Sequence, residues 1–384
     1  MNTPLREQLP VVQLFLLMGL CLGLALLGTA SLYYLAPAVT GFSLDAIGLQ
    51  SSIPKALLPL YWLSQGIMQL FIFVVPALIF LYYYDFNQDG NPLTKFRGVP
   101  LAVYGLTPLL AAGLLPLAYS LHAWNQSLHL PPALAEWEDA WRASEQQTEQ
   151  IIQAFLSASG AQALMLNVVV LVLLPALGEE LIFRGIVQRI FMRWVASPHA
   201  AIWICGALFS AIHMQWLGFF PRWLLGVELG YLAWFTGSLW PAVLSHATHN
   251  ALSIGMAQAT GFSEQSNADS DVMGMPGVWV VGGLTLAAAA AWMVYKIGQK
   301  ETWELSKINI ITTHISDWRA VYEGPSEWQA ELVKAVLEEH DIQAVVLNLR
   351  DRSYGNFGRV RVMVEESDYD QAMMYLRLSP PNPS

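Results

Sequence analysis

An almost uncharged run, Ala-Leu-Met-Leu-Asn-Val-Val-Val-Leu-Val-Leu-Leu-Pro-Ala at 163–176, leads directly into Leu-Gly-Glu-Glu-Leu-Ile-Phe-Arg-Gly at 177–185. An ionisable side chain at membrane depth costs roughly 2.5–3.5 kcal/mol on insertion scales, so two glutamates and an arginine there point to a function. Two further polar groups interrupt the apolar second half, Phe209-Ser-Ala-Ile-His213 and His246-Ala-Thr-His249-Asn250. Between the three groups the chain reads as almost free of charge, with Arg189, Arg193 and Arg222 at the ends of apolar runs. Carboxylates and imidazoles of this kind can activate water, ligate a metal or relay protons.

Spacing separates the two glutamates. Glu180 and Arg184 are four apart, share a helix face and are expected to form a structural ion pair. Glu179 is turned about 100° away and need not be neutralised by that arginine, which leaves it free to act as a base. Pro175 removes a helix hydrogen bond one turn earlier and is expected to kink or widen the helix. His246 and Asn250, again four apart, project side by side. His249 is expected to bond a neighbouring backbone or helix, and Phe209 to pack.

The elements that must position these groups are membrane spans. The 384 residues are 55% hydrophobic and 12% charged, far below the usual quarter charged of a soluble protein. Eight spans near the ~20 residues a bilayer needs are expected at 11–35, 57–83, 99–122, 161–183, 199–217, 221–238, 240–257 and 274–297. No cleavable signal peptide is expected, because the first apolar run is long and lacks a small-residue cleavage site. Lys95, Arg97, Arg184, Arg189, Arg193, Lys296, Lys300 and Lys307 fall on one side of the spans, with Arg222 a minor exception. By the positive-inside rule both termini are then cytoplasmic, in a bacterial inner membrane, and Glu179 lies toward the cytoplasmic face. Segment 131–158, with Trp137, Trp141 and Ile151-Ile152 among acidic and amide residues, reads as an amphipathic helix on the outer face. His122, His129 and His199 read as interfacial, and Cys21 and Cys205 as packing residues. The net charge of −10 offers no basic stripe for nucleic acid; lipid is the expected surrounding partner.

After Lys300 the composition becomes that of a soluble protein. Strands are expected at 319–323, 342–349 and 359–364, and helices at 325–340 and 367–378. That order is a small α+β, ferredoxin-like domain. Its strands flank the loop Arg-Asp-Arg-Ser-Tyr-Gly-Asn-Phe-Gly, and its last residues, Pro-Pro-Asn-Pro-Ser, are expected to be disordered. His314 and His340 read as surface residues. The whole is thus expected to be an all-α polytopic bundle of about eight transmembrane helices with a soluble C-terminal domain. Its parts are N-terminal helices and amphipathic loop at 1–158, a core and last span at 159–298, and the small domain at 308–380.

Glu-Glu-x-x-x-Arg, then Phe-x-x-x-His, then His-x-x-x-Asn, over about residues 160–255, resembles the CPBP family of CAAX-prenyl-protease and bacteriocin-processing (Abi) intramembrane endopeptidases. The small domain, with Trp328-Gln-Ala-Glu-Leu-Val-Lys and Gly358-Arg-Val-Arg-Val-Met-Val-Glu-Glu-Ser-Asp-Tyr-Asp-Gln-Ala, resembles prokaryotic signal-transducing domains and could hold a protein partner. The first resemblance implies that Glu179 and His213 activate a water that attacks a peptide carbonyl, while His246 and Asn250 donate hydrogen bonds to the oxyanion. Glu180 and Arg184 then support the site. Substrates would be membrane-associated, prenylated or leader-type peptides, with no cofactor favoured. Families of this kind are also described as metalloproteases, in which case Glu179, His213 and His246 would ligate a zinc. Two readings of another class stand beside these. One is a transporter or proton relay, against which no inverted repeat is found between the halves. The other is a non-proteolytic scaffold or immunity protein.

Overall fold

A computed structural model describes residues 5, 8–47, 53–85, 99–195, 197–260, 277–310, 318–324, 326–348 and 360–378. Lys95, Arg97, most of 258–273, His314, the loop 350–358 and the terminal Pro-Pro-Asn-Pro-Ser lie outside them. The chain divides into two units, Met1–Tyr295 and Lys296–Ser384.

The first unit is helical. Its elements are α1 (Pro10–Thr40), α2 (Leu58–Gln69), α3 (Val75–Asp85), α4 (Leu101–Gln126), α5 (Ala135–Leu156), α6 (Ala161–Asn167), α7 (Leu174–Ile182), α8 (Gln188–Val195), α9 (Pro198–Ala211), α10 (Phe219–Thr236) and α11 (Trp240–Thr260). Helix α12 (Gly277–Ile310) runs on into the second unit. Three π-helical turns, Leu70–Val74, Val168–Leu173 and Phe183–Val187, weld α2 to α3 and α6 through α8 into long continuous rods. The second of them ends just before Pro175, and a widened turn is one way to accommodate the missing N–H.

Among the described residues five helices are long and apolar enough to cross a membrane, at 10–40, 55–83, 101–126, 161–195 and 277–297. The expected eight are therefore not all distinguished. Helix α9 is short at 14 residues, and α10 and α11 carry Arg222, Glu228, His246, His249 and Asn250, which dilute their apolarity. The helices that fall short are those that hold much of the polar cluster.

Side-chain contacts mark two ends of this bundle. At one, the Arg193 Nη2–H donates to Gln13 at 2.5 Å, and His199 meets the Tyr231 hydroxyl at 2.8 Å. At the other, the Trp62 indole donates to Asn167 at 2.8 Å, and the Asn167 amide donates to the Phe155 carbonyl at 2.7 Å. Helix α5 lies at this second end, its Phe155 buried with Leu57, Leu58 and Tyr61 while Trp137 stays exposed. It is amphipathic, as its composition requires. Helices α9 and α10 pack closely because both are glycine at the crossing: a Cβ on Gly226 would stand 2.8 Å from the Gly206 Cα. Ser197 caps α9 by accepting from the Ala200 N–H at 3.3 Å, and α10 ends on Gly237 at φ 60°, a conformation glycine adopts without strain.

The second unit holds an antiparallel sheet of β1 (Trp318–Gly324), β2 (Ala344–Asn348) and β3 (Val360–Glu365) in the order β1-β3-β2, with α13 (Glu327–Glu338) and α14 (Tyr369–Leu378). Both outer strands run antiparallel to β3, which is the split β-α-β arrangement. Val360, Val362 and Val364 alternate into a core with Val333, Leu337 and Ile342. The strands begin or end one to two residues from the expected limits. Exposed His340 stacks on Tyr375, ring centroids 4.0 Å apart.

Candidate active site

The α7 rod brings both glutamates and Arg184 into the interior on one continuous helix, and burial then dictates their partners. The Arg184 Nη1–H donates to Glu180 Oε1 at 2.9 Å, both side chains fully buried, and Nη2–H donates to the Gly226 carbonyl at 2.7 Å. The guanidinium also lies over the Phe209 ring, 4.8 Å from its centroid. Buried charges persist when paired and hydrogen-bonded in this way.

Glu180 does more than the spacing within its own helix suggested. Its Oε1 also faces His246 Nδ1 at 3.0 Å. An ionised carboxylate paired to arginine can only accept, so this contact fixes the Nδ1–H tautomer of His246. His246 Nε2 then points at Glu179, 3.9 Å from Oε2. His213 is held likewise: its Nδ1–H donates to the Phe209 carbonyl at 2.7 Å, leaving Nε2 3.8 Å from Glu179 Oε2. Glu179 therefore stands between two imidazole nitrogens, apart from the arginine. Phe209 packs at the centre, edge-on to Phe183, His213 and His246. Asn250, half-buried, lies one turn beyond His246; among the described residues no hydrogen bond or ion pair ties it to the others.

A buried carboxylate that the sequence reading passed over lies next to this cluster. Glu228 of α10 accepts a hydrogen bond from the Ser245 hydroxyl at 2.5 Å and lies 3.7 Å from His249 Nε2. His249 thus turns toward a side chain of the neighbouring helix rather than toward backbone. The signal for Glu228 was a lone glutamate in Leu-Leu-Gly-Val-Glu-Leu-Gly, and the stretch is not free of charge as expected.

The donor types around Glu179 are those of a catalytic zinc, but among the described residues no three such side chains are placed to hold one ion. The metalloprotease description thus finds no support in their placement.

Fold and site together define an integral membrane protein with a carboxylate–imidazole cluster inside its helical bundle. Residues 161–252 match the model of the family described as type II CAAX prenyl endopeptidase Rce1-like, and residues 318–377 match DUF2007, described as a prokaryotic signal transducing protein. The chain carries an Rce1-like CAAX prenyl endopeptidase domain followed by a DUF2007 domain, a protease-type architecture. Both carboxylate clusters fall within the first match. No curated protein and no solved structure matches the chain.

Proposed function

We propose that the chain is an intramembrane endopeptidase that hydrolyses peptide bonds of membrane-associated, prenylated or leader-type peptides. The observation that carries this is Glu179 Oε2 standing 3.8 Å and 3.9 Å from the nitrogens of His213 and His246 while Glu180 is committed to Arg184. Those separations are too long for direct hydrogen bonds and suit one intervening water. Such a water donates one proton toward Glu179 and the other toward the His213 Nε2 lone pair, which turns its oxygen lone pairs to a scissile carbonyl. Glu179 takes the proton as the C–O bond forms and returns it to the departing nitrogen as the C–N bond breaks. His246, its Nδ1–H held by Glu180, donates to the oxyanion from Nε2 as an imidazolium, whose charge the oxyanion itself balances. Asn250 supplies the second donor. No step is routed through a metal. Stoichiometric zinc in purified protein, with its removal and return tracking activity, would overturn this arrangement. Lipid surrounds the bundle, and a protein partner at the small domain is the accompanying proposal.

The testing experiment compares the proteomes of cells carrying wild type and Glu179→Ala. Uncut membrane-associated peptides should accumulate in the variant; identical sets of peptide termini would favour the scaffold reading.

A further inference from the structure

We infer that Asn125 of α4, with Glu145 of α5 beside it, is a positioning residue for His213, so that the catalytic unit reaches beyond the family match into the first half of the chain. What is positioned follows from the peptidase reading; how it is positioned follows from hydrogen bonds alone. Asn125 and Glu145 both precede residue 161, where that match begins.

His213 lies in the turn that leaves α9 at Ala211 and enters α10 at Phe219, and the next residue, Met214, stands at φ 54°. A residue other than glycine keeps a left-handed backbone where its surroundings enforce it. The Nδ1–H bond of His213 to the Phe209 carbonyl sets the ring against α9 and leaves the rest of the turn free. The enforcing contacts come further on. The Asn125 amide N–H donates to the Trp216 carbonyl, and its Oδ1 accepts from the Phe220 N–H, each at 3.1 Å. Asn125 is buried, and a side-chain amide can donate and accept at once without carrying charge. Glu145 accepts from the Leu217 N–H at 2.8 Å, and Trp141 of the same helix lies against Trp216, ring centroids 5.5 Å apart. From within, the Ser210 hydroxyl donates to the Phe219 carbonyl at 2.7 Å, and the Arg222 guanidinium to the Gln215 carbonyl at 3.1 Å.

Ser210 and Arg222 belong to the helices that the turn joins, so their bonds fasten it to itself. Asn125 and Glu145 come from other helices and fasten it to the bundle. Glu179 is held separately, on the α7 rod. The 3.8 Å between His213 Nε2 and Glu179 Oε2 is therefore a gap between two independently anchored parts, and the α4 and α5 contacts set one side of it. A misplacement of about 1 Å at reacting groups can cost about 10²-fold in rate.

The test compares Asn125→Ala with Asn167→Ala in the full chain. Asn167 is the matched control, since its amide is equally buried and bonds to Trp62 and to the Phe155 carbonyl rather than to the turn. The substrate is a peptide whose cut terminus separates wild type from Glu179→Ala, and amide exchange over residues 214–220 is followed by mass spectrometry. Both variants should melt at lower temperature. Asn125→Ala alone should quicken exchange in the turn and lower kcat about 10²-fold with KM unchanged. Should Asn125→Ala not fold, Glu145→Ala takes its place, with quickened exchange centred on Leu217 and a smaller fall in kcat. A wild-type kcat in the folded variant, an equal fall in Asn167→Ala, or unchanged exchange over 214–220 overturns the inference. If no peptide separates wild type from Glu179→Ala, the peptidase reading falls with its catalytic consequence, and the exchange pattern still decides whether Asn125 holds the turn.

Discussion

The two buried carboxylate clusters lie side by side and are partnered in opposite ways. Around Glu180 a cation supplies balance: Arg184 is bound to the carboxylate and to the Gly226 carbonyl, and His246 leans on the same oxygen. Glu179, next in sequence, is left facing two imidazole nitrogens. Around Glu228 no cation is in contact among the described residues; a serine hydroxyl and a more distant imidazole hold it. A carboxyl held by one hydroxyl ties two helices together. A carboxylate freed by its neighbour's ion pair can exchange a proton with a substrate.

That contrast can be broken most directly at Glu179. Glu179→Gln keeps the shape and removes the base, so kcat should fall about 10²–10⁴-fold with thermal stability unchanged. An equal loss in Glu228→Gln would erase the distinction between the clusters. Next is Arg184→Met, which strands Glu180 without its cation at full burial. It should cost about 3–5 kcal/mol in denaturant unfolding, with activity lost alongside. Asn250→Ala removes a proposed oxyanion donor and should lower kcat about 10²–10³-fold with KM little changed. Glu228→Gln retains an acceptor for Ser245, so its effect on stability should stay within about 1 kcal/mol and activity should persist.

The smallest effect lies on α5. Glu138 accepts from the Leu130 N–H and pairs with Arg142 and His129, which together hold its carboxyl down to about 2. A carboxyl so lowered adds stability above the ordinary glutamate range, and that contribution is lost as pH falls through about 2. Protection of the amides at the start of α5, taken relative to their unstructured exchange rate at each pH, should therefore fall between about pH 4 and pH 2, and Glu138→Gln should abolish that fall.

Much of the first cluster was legible because it is local. The four-residue step from Glu180 to Arg184 specifies a shared helix face, and the adjacent position of Glu179 specifies a different one. The contact of Glu180 with His246 spans 66 positions and depends on how α7 meets α11, which periodicity does not encode. Glu228 was present as a signal and was masked by the apolar residues around it, its partner Ser245 lying on another helix. Five of the expected eight spans stand out among the described residues for a related reason: apolarity identifies helices that face lipid, and α10 and α11 spend part of their surface on each other's polar groups. The small domain was read well because β3 alternates buried and less buried residues along its whole length.

The π-helical turn at Phe183–Val187 carries a further consequence, one of phase. Such a turn holds a residue more than an α-turn would, so the helix before it and the helix after it are out of step. Were the turn to close as ordinary α-helix with all its residues kept, everything beyond it would swing by about 100°. Gln188 would leave the Gly230 carbonyl, now 3.1 Å away, and Arg193 would leave Gln13, while Glu179 and Glu180 stayed where they are. The rod is therefore a length standard as well as a support. A one-residue deletion within the turn is tolerated when the turn closes as α-helix, whereas a deletion in the α-helical part of the rod is not.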